Sequence, residues 1–390
     1  MNYQKARVWG TLIFLLAGLS FIAADNCFPA VSAEKNDGVS SLGAAGQPEL
    51  DLDGPVHVLA VSGDFLYAGG AFMSAGGVSL NHVAKWDGTT WGPLGSGTDG
   101  VVGAFAVSGE SLYAGGKFKT AGGVQVGYVA KWDGKGWSAL GLGMNGFVTA
   151  LAVSGDVLYA GGDFTTAGGI PVSHVARWDG KTWSPLGSAP VGNVNSLAVK
   201  GDILYAASVI VGEKPLDWVI KWDGKTWSRL PGSWIDRQVN ALALKGGALY
   251  AAAGFEIMEN PHFIAKWDGE KWSPLGFGSG PPDTGKDTRS LVIRLYKTLE
   301  NIIETMAAHG DVLYAGGRFR KVGELEVNGI AKWDGKGWSA LGPGMDNAVR
   351  ALAVSGDILY AGGDFKKAGG EPAKFVAKWD GKNWRPLRSN

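Results

Sequence analysis

The sequence predicts an all-β fold, a ring of seven four-stranded antiparallel blades, and two recurring elements predict it. A Leu-Tyr-Ala element returns with its tyrosine at Tyr67, Tyr113, Tyr159, Tyr205, Tyr250, Tyr314 and Tyr360, and a Trp-Asp-Gly element returns at Trp86, Trp132, Trp178, Trp222, Trp267, Trp333 and Trp379. The tyrosines are spaced by 45 or 46 residues except for one step of 64. A period of this length marks a structural unit that is repeated and stacked.

Residues 148 to 187 show what one unit contains. Val148 to Val153 alternates and ends at Ser154-Gly155-Asp156, a hairpin turn in which glycine supplies positive φ. Val157 to Phe164 returns, a variable loop through Ala167-Gly168-Gly169 follows, His174 to Trp178 forms a third strand, and Asp179-Gly180-Lys181 turns into a fourth, Thr182 to Leu186. Four strands repeated seven times are the sequence form of a seven-bladed β-propeller. No single blade covers both faces of its own sheet, so each must stack on its neighbours. The second tryptophan of each copy (Trp91, Trp137, Trp183, Trp227, Trp272, Trp338, Trp384) then fits a packing role between blades. The Lys or Arg before Trp-Asp-Gly, such as Lys85 and Arg177, reads as a scaffold ion pair or solvated edge.

Composition agrees. With 63 Gly and 17 Trp in 390 residues, the chain combines many tight turns with enough aromatic surface to fold, unlike disordered Gly-rich chains. Lys plus Arg equals Asp plus Glu at 36 each, so no net field favours nucleic acid or an anionic membrane.

The first 33 residues read as an export signal, with Lys5 and Arg7 before the apolar Val8 to Ala24 and a small-residue cleavage site at Val31-Ser32-Ala33. The alternative is a retained anchor. Residues 34–54 read as linker or a vestigial strand, and 55–390 as the propeller. The single cysteine, Cys27, precedes the cleavage site, so the mature chain is expected to lack disulfides, thiol nucleophiles and thiolate metal sites. The expected location is secreted or periplasmic.

Gly-Gly closing an apolar strand (Gly69-Gly70, Gly115-Gly116, Gly161-Gly162, Gly316-Gly317, Gly362-Gly363), followed by two spaced aromatics around a turn, resembles the kelch repeat and its galactose-oxidase-type propellers across roughly residues 51 to 390. The repeats are similar also to those of secreted bacterial proteins and fungal cell-surface cortical markers. The sequence departs from the kelch pattern in having Trp as the first aromatic, a short Asp-Gly turn, and Ala207-Ser208 and Ala252-Ala253 in place of Gly-Gly. The resemblance implies a fold and a habit of binding proteins or glycans; a mature chain without cysteine could not build the cross-linked tyrosine cofactor of galactose oxidase.

What recurs in every blade builds the blade, so function is sought where the copies differ. The loops between strands two and three and the connections between blades lie on one face and vary most. Blade four carries Glu213 to Trp218 there, blade five carries Phe255 to His262, and an insertion of about residues 281–301 follows, with apolar positions Leu291, Leu295, Leu299 and Ile302 on one helical stripe. That helix is expected as a lid or a docking element. Trp218 shares its slot with His82, Tyr128, His174, Phe263 and Phe375, which favours packing, whereas Trp234 has no counterpart and is the better ligand candidate.

A second feature is a ring. One slot near the start of the innermost strand reads His57, Gly103, Thr149, Asn195, Asn240, Glu304 and Arg350, at the variable-face mouth of the central channel. It is read either as a polar, water-filled lining or as a ligand site oriented by Glu304 and Arg350. His57 near Glu304 would permit general acid–base work, but nothing completes a nucleophile or a metal cluster. The expected function is therefore binding of a protein or glycan, without cofactor or metal; an envelope-assembly component and a propeller lyase or hydrolase are the alternatives.

Overall fold

The computed structural model describes residues 51–189, 192–208, 219–231, 239–253, 264–276 and 302–387. The export signal, most of the linker, Trp218, Trp234, the long loops of blades four and five and the inserted helix lie outside the described residues.

Seven four-stranded antiparallel sheets follow one another along the chain, each built from one continuous stretch of sequence. Blade three comprises Val148–Ser154, Val157–Gly162, Val175–Trp178 and Trp183–Pro185, within two residues of the expected bounds. The innermost strands pack side by side in order, and that of blade seven, Val349–Ser355, packs against that of blade one, Val56–Ser62. The ring thus closes by packing rather than by exchanging a strand, which removes open sheet faces.

Gly-Gly has a steric origin. A Cβ on the first glycine would strike the valine at the start of the next blade, at 2.7 Å for Gly69 and Val102, 2.5 Å for Gly115 and Val148, and 2.5 Å for Gly362 and Val56 across the closing junction. A Cβ on the second would meet the carbonyl oxygen preceding its own innermost strand, as Gly162 meets that of Phe147. Blades therefore approach as closely as backbone allows.

The paired tryptophans sit opposite one another across strands three and four, with ring centroids 5.3–5.4 Å apart in all seven blades. The second indole also spans blades: Trp137 donates to the Leu94 carbonyl at 2.8 Å, Trp183 to Leu140 at 2.8 Å and Trp384 to Leu341 at 2.7 Å. At the closing junction Trp91 Nε1 is buried without a partner. Two of the lysines before Trp-Asp-Gly make cation–π contacts: Lys85 lies 4.1 Å from the Phe65 ring centroid and Lys131 5.9 Å from that of Tyr113.

The face carrying the Ser-Gly-Asp turns is stitched shut. Ser62, Ser108 and Ser154 each donate from Oγ to the turn glycine of the next blade, Gly109, Gly155 and Gly201. On the opposite face, the loop read as variable in blade three contains a hairpin, Thr166–Ala167 with Ile170–Pro171, turned by Gly168 and Gly169 at φ 58° and 82°. Four other blades, one, two, six and seven, carry the same hairpin. An Asx clamp holds it: Asp53, Asp99, Asn145 and Asp346 each accept two backbone N–H bonds through Oδ1 from the hairpin's approach, as Asn145 does from Thr165 and Thr166 at 2.8 and 2.9 Å. Leu52, in the segment read as linker or vestigial strand, bridges to Ala75 as Thr98 does to Ala121.

Candidate functional site at the channel mouth

Every innermost strand contains a β-bulge, and in every blade the bulged residue is the slot that differs. The register slips between Val56 and Val58, Val102 and Ala104, Val148 and Ala150, Val194 and Ser196, Val239 and Ala241, Ile303 and Thr305, and Val349 and Ala351. The skipped residues are His57, Gly103, Thr149, Asn195, Asn240, Glu304 and Arg350. A bulge takes its residue out of the ladder and re-aims its side chain, which frees this position from the packing that holds its neighbours alike. The seven bulge residues and the two that follow each of them line one cavity of about 240 Å³ on the axis.

The structure divides this ring into roles. Thr149 donates to the carbonyl of Val194, Asn240 to that of Ile303 at 3.1 Å, and Asn195 to that of Val239 at 3.5 Å. These three fasten each blade to the next. Gly103 is a gap, since a Cβ built there meets nothing within 4 Å.

Glu304 and Arg350 do meet. Arg350 holds Asp364 in a two-pronged pair, Nε to Oδ1 at 2.8 Å and Nη2 to Oδ2 at 2.7 Å, and reaches Glu304 Oε2 from Nη1 at 2.9 Å. Arg318 joins Glu304 Oε1 at 3.1 Å and Asp364 Oδ2 at 3.4 Å. The result is a neutral four-membered network shared by blades six and seven, charge-assisted throughout. Arg318 and Asp364 were absent from the sequence reading; each follows its bulge residue by 14 positions, just past the Gly-Gly, and that spacing is the signal that would have found them. The electrostatic neighbours of His57 are Arg350, Asp364, His82 and Lys117. Burial, and then the Arg350 guanidinium, lower the His57 pKa to about 4, so the imidazole is neutral at ordinary pH.

Blades two and three furnish a different wall. Lys117 lies 4.8 Å from the Phe147 ring centroid, and Tyr128 packs edge-on to Phe147 at 5.7 Å. The slot that Tyr128 shares with His82, His174 and Phe375 is left-handed, with φ of 60–71° at these four bulky residues, while blade six has Gly329 there at φ 81°. Burial raises the Asp163 pKa and lowers that of His82. Asp163 Oδ1 and His174 Nδ1 are buried with no hydrogen-bond partner, although His82, the blade-one counterpart of His174, places Nδ1 3.2 Å from the Gly70 carbonyl.

Among the described residues, no group of three or more His, Cys, Asp or Glu is placed to hold a metal ion, and no helix is long and apolar enough to cross a membrane.

Geometry and topology together define a seven-bladed β-propeller with an axial polar cavity. Comparison with known proteins returns the same class and stops there: no family model and no curated protein matches the chain. Among solved structures it is similar to the computationally designed Ika8 protein, at 19% identity and TM-score 0.51, covering 88% of this chain and 89% of that one. It is similar also to the WD40 β-propeller domain of Doa1, at 14% identity and TM-score 0.52, covering 81% and 93%. A third likeness is the extracellular domain assigned to a hybrid two component system of B. thetaiotaomicron, at 11% identity and TM-score 0.51, covering 85% of this chain but 39% of that one. These identities show the fold alone.

Proposed function

We propose that the chain is an extracytoplasmic binding propeller that takes a protein or glycan partner at the variable-face mouth of its channel. The observation that carries this reading is the series of bulges: seven equivalent positions are released from the ladder, occupied by six different residue types, and gathered around one cavity. Scaffold positions repeat because each blade needs them; these do not. The export signal read in residues 1–33 supports an extracytoplasmic location.

A glycan and small-molecule binding screen on the chain starting at Glu34, run beside a pull-down from an envelope extract, tests the reading. Capture that is lost when Gly103 is replaced by Phe supports it. Capture indifferent to that replacement moves the working surface away from the mouth.

An assembly role is the second reading, and a specific observation favours it. The hairpins of blades one to three expose an equivalent aliphatic residue each, Val78, Val124 and Ile170 at 45%, 40% and 45%, and Leu142 beside the blade-three hairpin is 78% exposed. In that case Val124→Asp with Ile170→Asp, rather than Gly103→Phe, removes a partner from the pull-down.

A further inference from the structure

Blades three, four and five turn the same kind of atom to the axis. Asn195 and Asn240 each set the nitrogen end of the amide against a backbone carbonyl of the next blade, that of Val239 at 3.5 Å and that of Ile303 at 3.1 Å, so the oxygen is the end left over. Neither oxygen has a donor within the protein, and neither is sealed from solvent. Thr149 likewise gives its single proton to a carbonyl, that of Val194, and keeps its lone pairs. All three side chains line the axial cavity, which therefore carries an arc of acceptors over three consecutive blades. Donors stand beside this arc. Ser196 accepts the Leu242 N–H at 3.0 Å through Oγ, which leaves its own proton to donate, and the neutral imidazole of His57 has one nitrogen that donates and one that accepts. Both also line the cavity.

Charge narrows the ligand further. Glu304 contributes the carboxylate of the lining, and its two oxygens are held by Arg350 at 2.9 Å and Arg318 at 3.1 Å. An ammonium entering the cavity would lose water and gain no carboxylate that is not already compensated; amide oxygens alone replace that hydration poorly. An anion fares no better, because Arg350 is engaged by Glu304 and Asp364 and the acceptor arc repels negative charge. The ligand that fits is uncharged and both donates and accepts hydrogen bonds. Size sets the last limit. At about 240 Å³ the cavity is smaller than the sites of about 300–1,000 Å³ that enclose drug-sized molecules, so it takes one small unit, with space beside Gly103 for it to extend.

We infer that the axial cavity holds one uncharged sugar residue, the end of a glycan, whose hydroxyls donate to Thr149, Asn195 and Asn240 and accept from Ser196 and His57. A hydroxyl is both donor and acceptor, whereas an ammonium only donates and a carboxylate only accepts. The inference narrows the protein or glycan reading to the second of its two ligands and rests on the mouth being the working face.

Ligand-observed NMR on protein expressed from the full chain tests it, using the methyl glycosides of glucose, galactose, mannose and N-acetylglucosamine beside two charged controls, glucosamine and glucuronic acid. At least one neutral glycoside binds, and the charged controls bind at least about tenfold more weakly. Deoxyfluoro derivatives of the sugar that binds replace a hydroxyl that can donate by a fluorine that cannot. They lose about tenfold or more in affinity at two or more ring positions, and in Asn240→Leu one of those positions ceases to matter. If Asn240→Leu does not fold, the fluorinated sugars on the wild-type protein still decide. Charged controls that bind as tightly as the neutral glycosides overturn the inference, and so do fluorinated sugars that bind as tightly as their parent. Failure of all the neutral glycosides to bind also overturns it. In any of these cases the pull-down from an envelope extract separates the two readings: capture that Gly103→Phe abolishes keeps the mouth as the working face, and capture that Gly103→Phe leaves unchanged removes both.

Discussion

At the scale of single residues, the channel mouth separates groups that look alike in sequence. Thr149, Asn195 and Asn240 spend their donors on the next blade, whereas His57 has a protonation state set by its surroundings. Its folded pKa of about 4 lies below the ordinary 6.5. Between those values the unfolded chain binds the proton and the folded one does not, so stability falls as pH drops from about 6.5 to about 4 and this contribution levels off below. The loss is at most about 3 kcal/mol. In His57→Gln, melting temperature measured against pH should be flatter in that interval. The Asp residues of the Trp-Asp-Gly turns act in another window: hydrogen bonds from the turn N–H groups lower their pKa, so the stability they add is present above the ordinary carboxylate range and is lost only at lower pH. Arg350 also teaches a correction. The sequence offered it as a ligand-orienting residue, but its guanidinium holds two carboxylates, Glu304 and Asp364. Arg350→Met should cost about 1–3 kcal/mol in denaturant unfolding, because it leaves those groups short of donors.

At the scale of elements, the variable face is more ordered than its sequence variation suggests. A hairpin and its Asx clamp recur beneath the differences, and the clamp residue precedes the bulge by four positions, as Asn145 precedes Thr149. Asn145→Ala should cost about 1 kcal/mol by thermal unfolding and should raise amide exchange in residues 165–171 while sparing the blade's four strands. Trp178→Ala removes one ring of a buried cross-strand pair and should cost about 3–5 kcal/mol. The four strands were legible because tryptophan pairs, alternation and glycine turns are local signals. The bulge was not: it is a mismatch between two strands, visible in one of them only as a slot that tolerates any side chain. The polar ring was found from that tolerance, but its partners lie at the end of the second strand, Arg318 as its last residue and Asp364 just past it, where they read as loop residues after Gly-Gly. The small hairpin was missed because Ala-Gly-Gly followed by an exposed aliphatic residue offers no apolar alternation to read.

At the scale of the whole molecule, repetition and its breakdown do different work. Gly-Gly in five blades, the indole bonds to the preceding blade and the serine stitches that join blades one to four hold neighbouring blades together. Against that background the bulge slots run from a closed ion network at blades six and seven, through His57, to the gap at Gly103. One side of the mouth is filled by ion pairs, whereas blade two leaves a gap at Gly103, so a ligand on the axis finds its room beside Gly103.

Gly103 makes this claim directly measurable. Its φ is not left-handed and a Cβ there touches nothing, so a phenylalanine can be added without strain in the scaffold while its ring occupies the cavity. The decisive measurement is the affinity of Gly103→Phe for whichever ligand or partner the wild-type chain captures, read beside its melting temperature. The account predicts a melting temperature within about 2 °C of wild type, as for a substitution that disturbs no contact, and binding reduced at least about tenfold. Unchanged melting with unchanged binding would contradict it, and would place the ligand elsewhere on the disc.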